Sequence, residues 1–154
     1  MNAILAGALV AGIGCLAAAT GWLRRRYRTV EVLGTSMQPT LQPGEVVRLA
    51  RRDGRRVRTG ELVVVAAPVR VGSGWYWPAG NPTKEWSIKR VAATAGEPVP
   101  VELLDAVAAR PGTAVPAGKL LFLGDHRAVS VDSRHWGYLP ACAVLGVVRR
   151  SAGS

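Results

Sequence analysis

The sequence predicts a mainly β domain, folded as a partly closed barrel of packed sheets, carried behind one N-terminal transmembrane helix. Three observations support this. Residues 3–23 contain no charge, the later apolar runs are short and broken by glycine and proline, and only 101–109 has a helical look. A chain of 154 residues suits one domain of ordinary size.

The uncharged run AILAGALVAGIGCLAAATGWL is 21 residues long. At about 1.5 Å per residue it makes roughly 31 Å of helix, enough for a hydrocarbon core of about 30 Å. Trp22 suits the headgroup level, and Arg24, Arg25, Arg26 and Arg28 end the run sharply. A cleavable signal carries positive charge ahead of its apolar stretch, and here only the amino terminus supplies any. Ala17, Ala18 and Ala19 could pass as a cleavage site, but alanines fill the whole segment. The reading is therefore a retained anchor at 3–23, a basic juxtamembrane segment at 24–28 and a folded domain at 29–150.

A net charge of +10 raises the question of nucleic acid. Four of the positive charges adjoin the anchor, and from Thr29 onward 16 basic residues stand against 10 acidic ones. The densest remaining group, Arg48, Arg51, Arg52, Arg55, Arg56 and Arg58, surrounds Asp53-Gly54 and reads as two strand ends and a turn. No nucleic-acid motif accompanies it, so the cluster reads as a solvated face or a contact with anionic lipid; the expected partner is the lipid bilayer and not nucleic acid. Cys15 falls in the anchor and Cys142 near the C-terminus, too far apart to pair. With only His126 and His135 as histidines and no ligand spacing, no metal and no cofactor are expected.

Strands are predicted at 30–33, 45–50, 61–66, 85–92, 119–123 and 143–149. Leu62-Val63-Val64-Val65 is continuous, not alternating, which implies burial on both faces. Gln42-Pro43-Gly44, Asp53-Gly54, Thr59-Gly60 and Gly96-Glu97-Pro98 are turns by backbone chemistry. The stretch 71–82, with Trp75, Tyr76 and Trp77 among glycines and prolines, reads as a loop. Its aromatics either rest in a membrane interface or fold back over the core.

Three separated segments carry potential chemistry. Gly34-Thr35-Ser36-Met37-Gln38-Pro39-Thr40-Leu41 puts a serine at a strand-to-turn junction. Ser87-Ile88-Lys89-Arg90-Val91 puts a lysine inside an apolar strand. The third runs from Gly124-Asp125-His126-Arg127 through Ser130, Asp132 and Arg134 to Gly137. A serine hydroxyl attacks a carbonyl only when a base takes its proton. A lysine can be that base only when neutral, which requires burial to lower its pKa from about 10.4.

In this order the segments resemble the signal peptidase I family, whose members cut signal peptides from exported proteins with a serine–lysine dyad. The likeness covers most of 30–149 and includes the box at 36–41, K-R-V-A-A at 89–93 and G-D-x-R-x-x-S-x-D-S-R-x-x-G at 124–137. It implies a signal-peptidase-like and LexA-like β core, a serine endopeptidase activity and preproteins bearing signal peptides as substrates. The implied nucleophile is Ser36 and the implied general base Lys89, with Ser130 orienting the lysine. Asp132 would pair with Arg134 to brace the loop, and Asp125 and Arg127 would be structural members of the same box. The Ser36 N–H would serve the oxyanion, with Gly34 at the second oxyanion position. Val30, Val32 and Ile88 would line pockets for small side chains.

Some positions depart from the family pattern. Gly34 stands where some relatives have a serine whose hydroxyl is a second donor, His126 replaces an asparagine, and Glu97 replaces an aspartate after Gly96. His126 suggests a rival serine–histidine arrangement, though Lys89 meets the same need within a full motif. The large insertion that some relatives carry as a second domain is missing, which makes this a minimal core. The positive-inside rule would place the arginines at 24–28, and the domain after them, in the cytoplasm. The resemblance implies a single-pass protein of the cell membrane with its catalytic domain extracytoplasmic, and that expectation is adopted. A self-cleaving repressor of the LexA type would need a DNA-binding helix-turn-helix in front. An inactive membrane-tethered binding protein would be expected to lose its nucleophile early. A peptidase dedicated to one secreted precursor remains open beside a housekeeping one.

Overall fold

The computed structural model describes residues 27–72, 74–77 and 85–149. The anchor expected at 3–23, and the basic segment up to residue 26, lie outside the described residues. Among the described residues no helix is long and apolar enough to cross a membrane.

All six predicted strands are present, with ends shifted by up to three residues. They are β1 (Tyr27–Glu31), β2 (Val46–Ala50), β3 (Leu62–Ala66), β6 (Trp86–Ala93), β7 (Lys119–Leu123) and β9 (Val144–Arg149). A two-residue strand, β8 (Leu139–Pro140), adds a seventh to one sheet ordered β1-β2-β9-β3-β6-β7-β8, in which every pair is antiparallel. Register shifts at Val64/Val65 and Val91/Ala93 bend the strands, and the sheet curls into a half-barrel.

The continuous run in β3 is buried on both faces as its composition implies. Val63 and Val65 join Val91, Phe122 and Leu139 on one side. Val64 joins Val32, Met37, Val47 and Ile88 on the other. A third cluster, built on Leu121 and Leu123 of β7, is covered by Val99, Leu103 and Val115.

Two expectations need correction. The helix suggested at 101–109 is instead two 3-10 turns, Val101–Leu103 and Asp105–Val107. The first begins directly after Pro100, and the second stops where Ala108 takes a left-handed φ of 50°. The one α-helix among the described residues is α1 (Ser133–Trp136), capped by the Asp132 carboxylate. The stretch read as loop from residue 71 holds half of a hairpin, β4 (Val69–Val71) with β5 (Gly74–Tyr76). Gly72, at φ +59°, supplies the backbone that so short a connection needs. Of the two aromatic alternatives, folding back over the core is seen for Trp77. Trp75 and Trp77 are partly buried, with Trp77 packed on the core, while Tyr76 is exposed.

The pairing of β6 sets up the site. It runs beside β3 from Trp86 to Arg90, but β7 joins its other edge only from Arg90 onward. Over 86–89, one edge of β6 has no strand partner among the described residues.

Candidate active site

The serine turn follows β1. Its backbone winds tightly, with the Gln38 N–H donating to the Thr35 carbonyl at 3.1 Å and the Leu41 N–H to that of Met37 at 2.9 Å. Met37 and Leu41 are buried beneath the turn, 2% and 0% exposed, against Val32, Val64 and Ile88. Their burial anchors the turn and leaves Ser36 partly exposed at the rim of a groove. Gly34 has φ +82°, and a Cβ there would meet nothing within 4 Å. Glycine thus eases the backbone at this position and brings no side-chain donor to the groove.

Strand pleating places the lysine. Ile88 faces Val64 and enters one core cluster, while Lys89 faces Val63 and shares the opposite side with Val91. Lys89 is 2% exposed, and its Nζ lies 3.1 Å from Ser36 Oγ, within hydrogen-bond distance. The Trp136 ring centroid is 6.0 Å from the same nitrogen. Burial pushes the lysine below its ordinary range. The Asp132 charge pulls upward, Arg134 adds to the lowering, and the net shift is down.

The third segment is braced from within. The Asp132 carboxylate, 0% exposed, accepts from the Gly124 N–H at 2.9 Å and from Arg134 Nε at 2.9 Å. Arg134 also donates to the carbonyls of Arg127 at 2.7 Å and Ser130 at 3.1 Å, so one guanidinium holds three points of the loop. Burial alone would raise the Asp132 carboxyl, but Arg134 and the Gly124 N–H outweigh it and hold it below the usual carboxylate range. The Ser133 hydroxyl accepts from the Phe122 N–H at 2.8 Å, which fixes α1 to β7.

Arg90 joins all three segments. Its Nε and Nη2 donate to the two Asp125 oxygens at 2.8 and 2.6 Å, its Nη1 to the Gly60 carbonyl at 2.8 Å, and Nη2 approaches Thr40 Oγ1 at 3.4 Å. The Asp125 carboxyl, which burial would raise, is held low by this guanidinium. Arg127 bonds the Gly124 carbonyl and pairs with Glu102 at 3.1 Å. Glu97 accepts from the Thr94 N–H at 2.7 Å and from the Thr59 hydroxyl, and so locks the turn in which it replaces the aspartate.

Ser130 lies elsewhere than expected in one respect. It is buried, and its hydroxyl makes no well-aligned hydrogen bond among the described residues; it lies near enough to the Asp132 carboxylate to help hold that group's pKa down, and the bond expected to Lys89 is not formed. The hydroxyl lies against Gly124, so close that a Cβ on that residue would overlap it. The His126 N–H donates to the Ser36 carbonyl at 3.0 Å, and its buried Nδ1 has no partner. No hydrogen bond joins the imidazole to the Ser36 hydroxyl among the described residues, so the serine–histidine rival has no geometric support.

The groove beside Ser36 and Lys89 has a volume of about 580 Å³. Val30, Val32 and Ile88 all line it, together with Ala67, Val131 and Trp136. Sequence reasoning overlooked Arg90 and Trp136. Arg90 sits next to the lysine, inside the K-R-V-A-A box, and was given no role of its own. Trp136 lies inside the third box, where its neighbours drew the attention. Among the described residues no cluster of acidic, histidine or cysteine side chains could hold a metal ion.

The family model described as signal peptidase, peptidase S26, matches residues 5–108 and 102–151. The chain is 32% identical over 111 residues, 70% of its length, to mitochondrial inner membrane protease subunit 1 of Schizosaccharomyces pombe, and spans 61% of that relative. A serine turn, a buried strand lysine and a braced third box thus occur together in a chain that the family model matches from near its start to residue 151, and the chain belongs to the signal peptidase family, peptidase S26.

Proposed function

We propose that this protein is a membrane-anchored serine endopeptidase that removes N-terminal signal peptides from exported preproteins. The observation that carries the reading is the 3.1 Å approach of Lys89 Nζ to Ser36 Oγ, with the lysine 2% exposed. An amine buried in this way gives up its proton readily, and a neutral amine at that distance can accept the one that the hydroxyl must lose.

In the proposed mechanism Ser36 Oγ attacks the scissile carbonyl as its proton passes to Lys89 Nζ. The tetrahedral oxyanion takes a hydrogen bond from the Ser36 N–H, and the Gly34 segment borders the same space. Lys89 then returns the proton to the leaving amine, an acyl-enzyme forms on Ser36, and water resolves it with Lys89 again as base. Ser130, beside the Ser36 turn, orients the lysine once substrate is bound. Asp125, Arg127, Asp132 and Arg134 keep the third segment in place.

The groove explains why a peptide is a suitable substrate. It runs between the end of β1, at the sheet's margin, and the edge of β6 over 86–89 that has no strand partner among the described residues. An extended chain laid there would add hydrogen bonds along an open edge. Its side chains would meet Val30, Val32 and Ile88, which leave room for small residues before the cut. No cofactor is needed for this chemistry, and no nucleic acid is a proposed partner.

Residues 3–23 are proposed as a single-pass anchor in the cell membrane, followed by the basic segment at 24–28 and an extracytoplasmic peptidase domain at 29–150. The printed name of the fission yeast relative, an inner membrane protease, supports a membrane setting. Dedication to one secreted precursor is compatible with the same site. Two experiments test the reading. Full-length protein in vesicles should cleave a preprotein, and Ser36→Ala and Lys89→Ala should each abolish cleavage while leaving the protein folded, as read by a cooperative unfolding transition. Near-normal turnover in either variant would refute the dyad. Comparison of secreted-protein N-termini with and without the gene separates a housekeeping from a dedicated role.

A further inference from the structure

Lys89 is almost wholly buried, yet its nitrogen has one hydrogen bond among the described residues, to Ser36 Oγ. What keeps water from it is apolar surface. Val63, Val91 and Phe122 pack on its side of the sheet, and the Trp136 ring stands 6.0 Å from the nitrogen at the mouth of the groove. Trp136 has no polar anchor, since its buried Nε1 finds no hydrogen-bond acceptor among the described residues. Packing alone orients the ring.

One of its packing partners comes from outside the main sheet. Trp75 of β5 meets Trp136 edge to face, with ring centroids 6.4 Å apart and an interplanar angle of 70°. The hairpin that carries Trp75 is a separate two-stranded sheet with three residues per strand. A ribbon so short is marginal alone, and aromatic contacts such as this one help hold it to the domain. On the Trp75 ring rests the exposed Arg70 guanidinium, 5.9 Å from the centroid. The β4–β5 hairpin and the lysine are thus joined through two indoles. Trp75 itself does not line the groove.

We propose that Trp75 and Trp136 are positioning residues that keep Lys89 dry, so that the seating of the β4–β5 hairpin sets how much of the lysine is available as a neutral base. The inference rests on Lys89 being the general base. If the hairpin lifts, Trp136 loosens and water reaches the amine. The protonated form is then favoured, and turnover falls at neutral pH but not at alkaline pH.

The test compares kcat/KM against pH for full-length wild type, Trp75→Ala and Trp75→Phe in detergent micelles, using a peptide with small residues before the cut. Trp75→Ala should lose about three- to tenfold at neutral pH, the scale of one aromatic pair. It should regain wild-type rates at alkaline pH, with KM unchanged and the acid limb displaced upward. Trp75→Phe keeps a ring edge and should restore the wild-type profile. A loss equal at every pH would mean general disruption and would overturn the proposal, as would an unchanged profile in Trp75→Ala. Ser36→Ala and Lys89→Ala run alongside separate the two levels. If they are inactive while the Trp75→Ala profile stays flat, the coupling fails and the dyad stands; if they remain active, the dyad itself fails.

Discussion

Replacing Lys89 by methionine should make the protein more stable and inactive, and the size of the gain should depend on pH. The lysine is 2% exposed, faces Val63 across the strand pair and shares its side with Val91 and Phe122. Methionine has a similar length and a flexible apolar end that suits the same space. The substitution loses the contact with Ser36 Oγ, worth about 1 kcal/mol. It removes a buried amine that must be neutral or pay for its charge, and such replacements recover about 1–4 kcal/mol. The net expectation is about 0–3 kcal/mol in favour of Lys89→Met at neutral pH.

The sign of the pH dependence follows from the lowered pKa of Lys89. The unfolded chain binds the proton more readily than the folded one, so wild-type stability rises with pH between the folded and unfolded values of this group. The penalty is fully present below the folded value and disappears above the unfolded value, near 10.5. The advantage of the methionine variant should therefore shrink as pH climbs through the alkaline range. Thermal and denaturant unfolding of both proteins across pH 6–10, in one detergent, reads this directly. A variant less stable than wild type at neutral pH, or an advantage that does not vary with pH, would show that the lysine is not held against its charge.

Other expectations follow from the braces around the dyad. Asp132→Asn removes the charge opposite the partly exposed Arg134 and weakens their hydrogen bonds, and should cost about 1–3 kcal/mol in unfolding free energy. In the wild type the stabilisation from the depressed Asp132 carboxyl is complete above its unfolded value near 3.8 and is lost as pH falls through the folded one, so acid unfolding should be less steep in the variant. Arg90→Lys keeps the charge but loses the two-point grip on Asp125. It should cost about 1–2 kcal/mol and reduce kcat more than it raises KM, as measured by peptide cleavage. Gly124→Ala would drive a Cβ into the Ser130 side chain and the Ser36 carbonyl. Activity should fall at least tenfold, with a stability loss of about 1–3 kcal/mol by thermal unfolding.

Much of this molecule was legible without coordinates because its local signals agree with one another. The β-branched run at 62–65 could be satisfied only by burial on both faces. Pro43-Gly44, Thr59-Gly60 and Gly96 punctuate the chain where the backbone must turn, and the six long strands emerged close to their expected ends. Short elements were less legible. The hairpin at Val69–Val71 and Gly74–Tyr76 has too few residues to show alternation, and the 101–107 turns contain apolar residues at near-helical spacing but too little length for a helix.

The candidates for hydrolysis were legible only as a set, since a serine at a strand end or a lysine in a strand is ordinary alone, and it is their order with the third box that resembles a serine–lysine dyad. Their 3.1 Å approach was not legible, because it depends on the pleat of β6 and on Met37 and Leu41 drawing the turn inward from 53 residues away. Nor could Arg90 be seen as the residue joining Thr40, Gly60 and Asp125, or Trp136 as a wall of the lysine's pocket. Composition and spacing determine which groups can react and which segments are buried. Only the closing of the sheet decides which of those groups share a site, because contacts between distant segments depend on register and side-chain direction that no local pattern encodes.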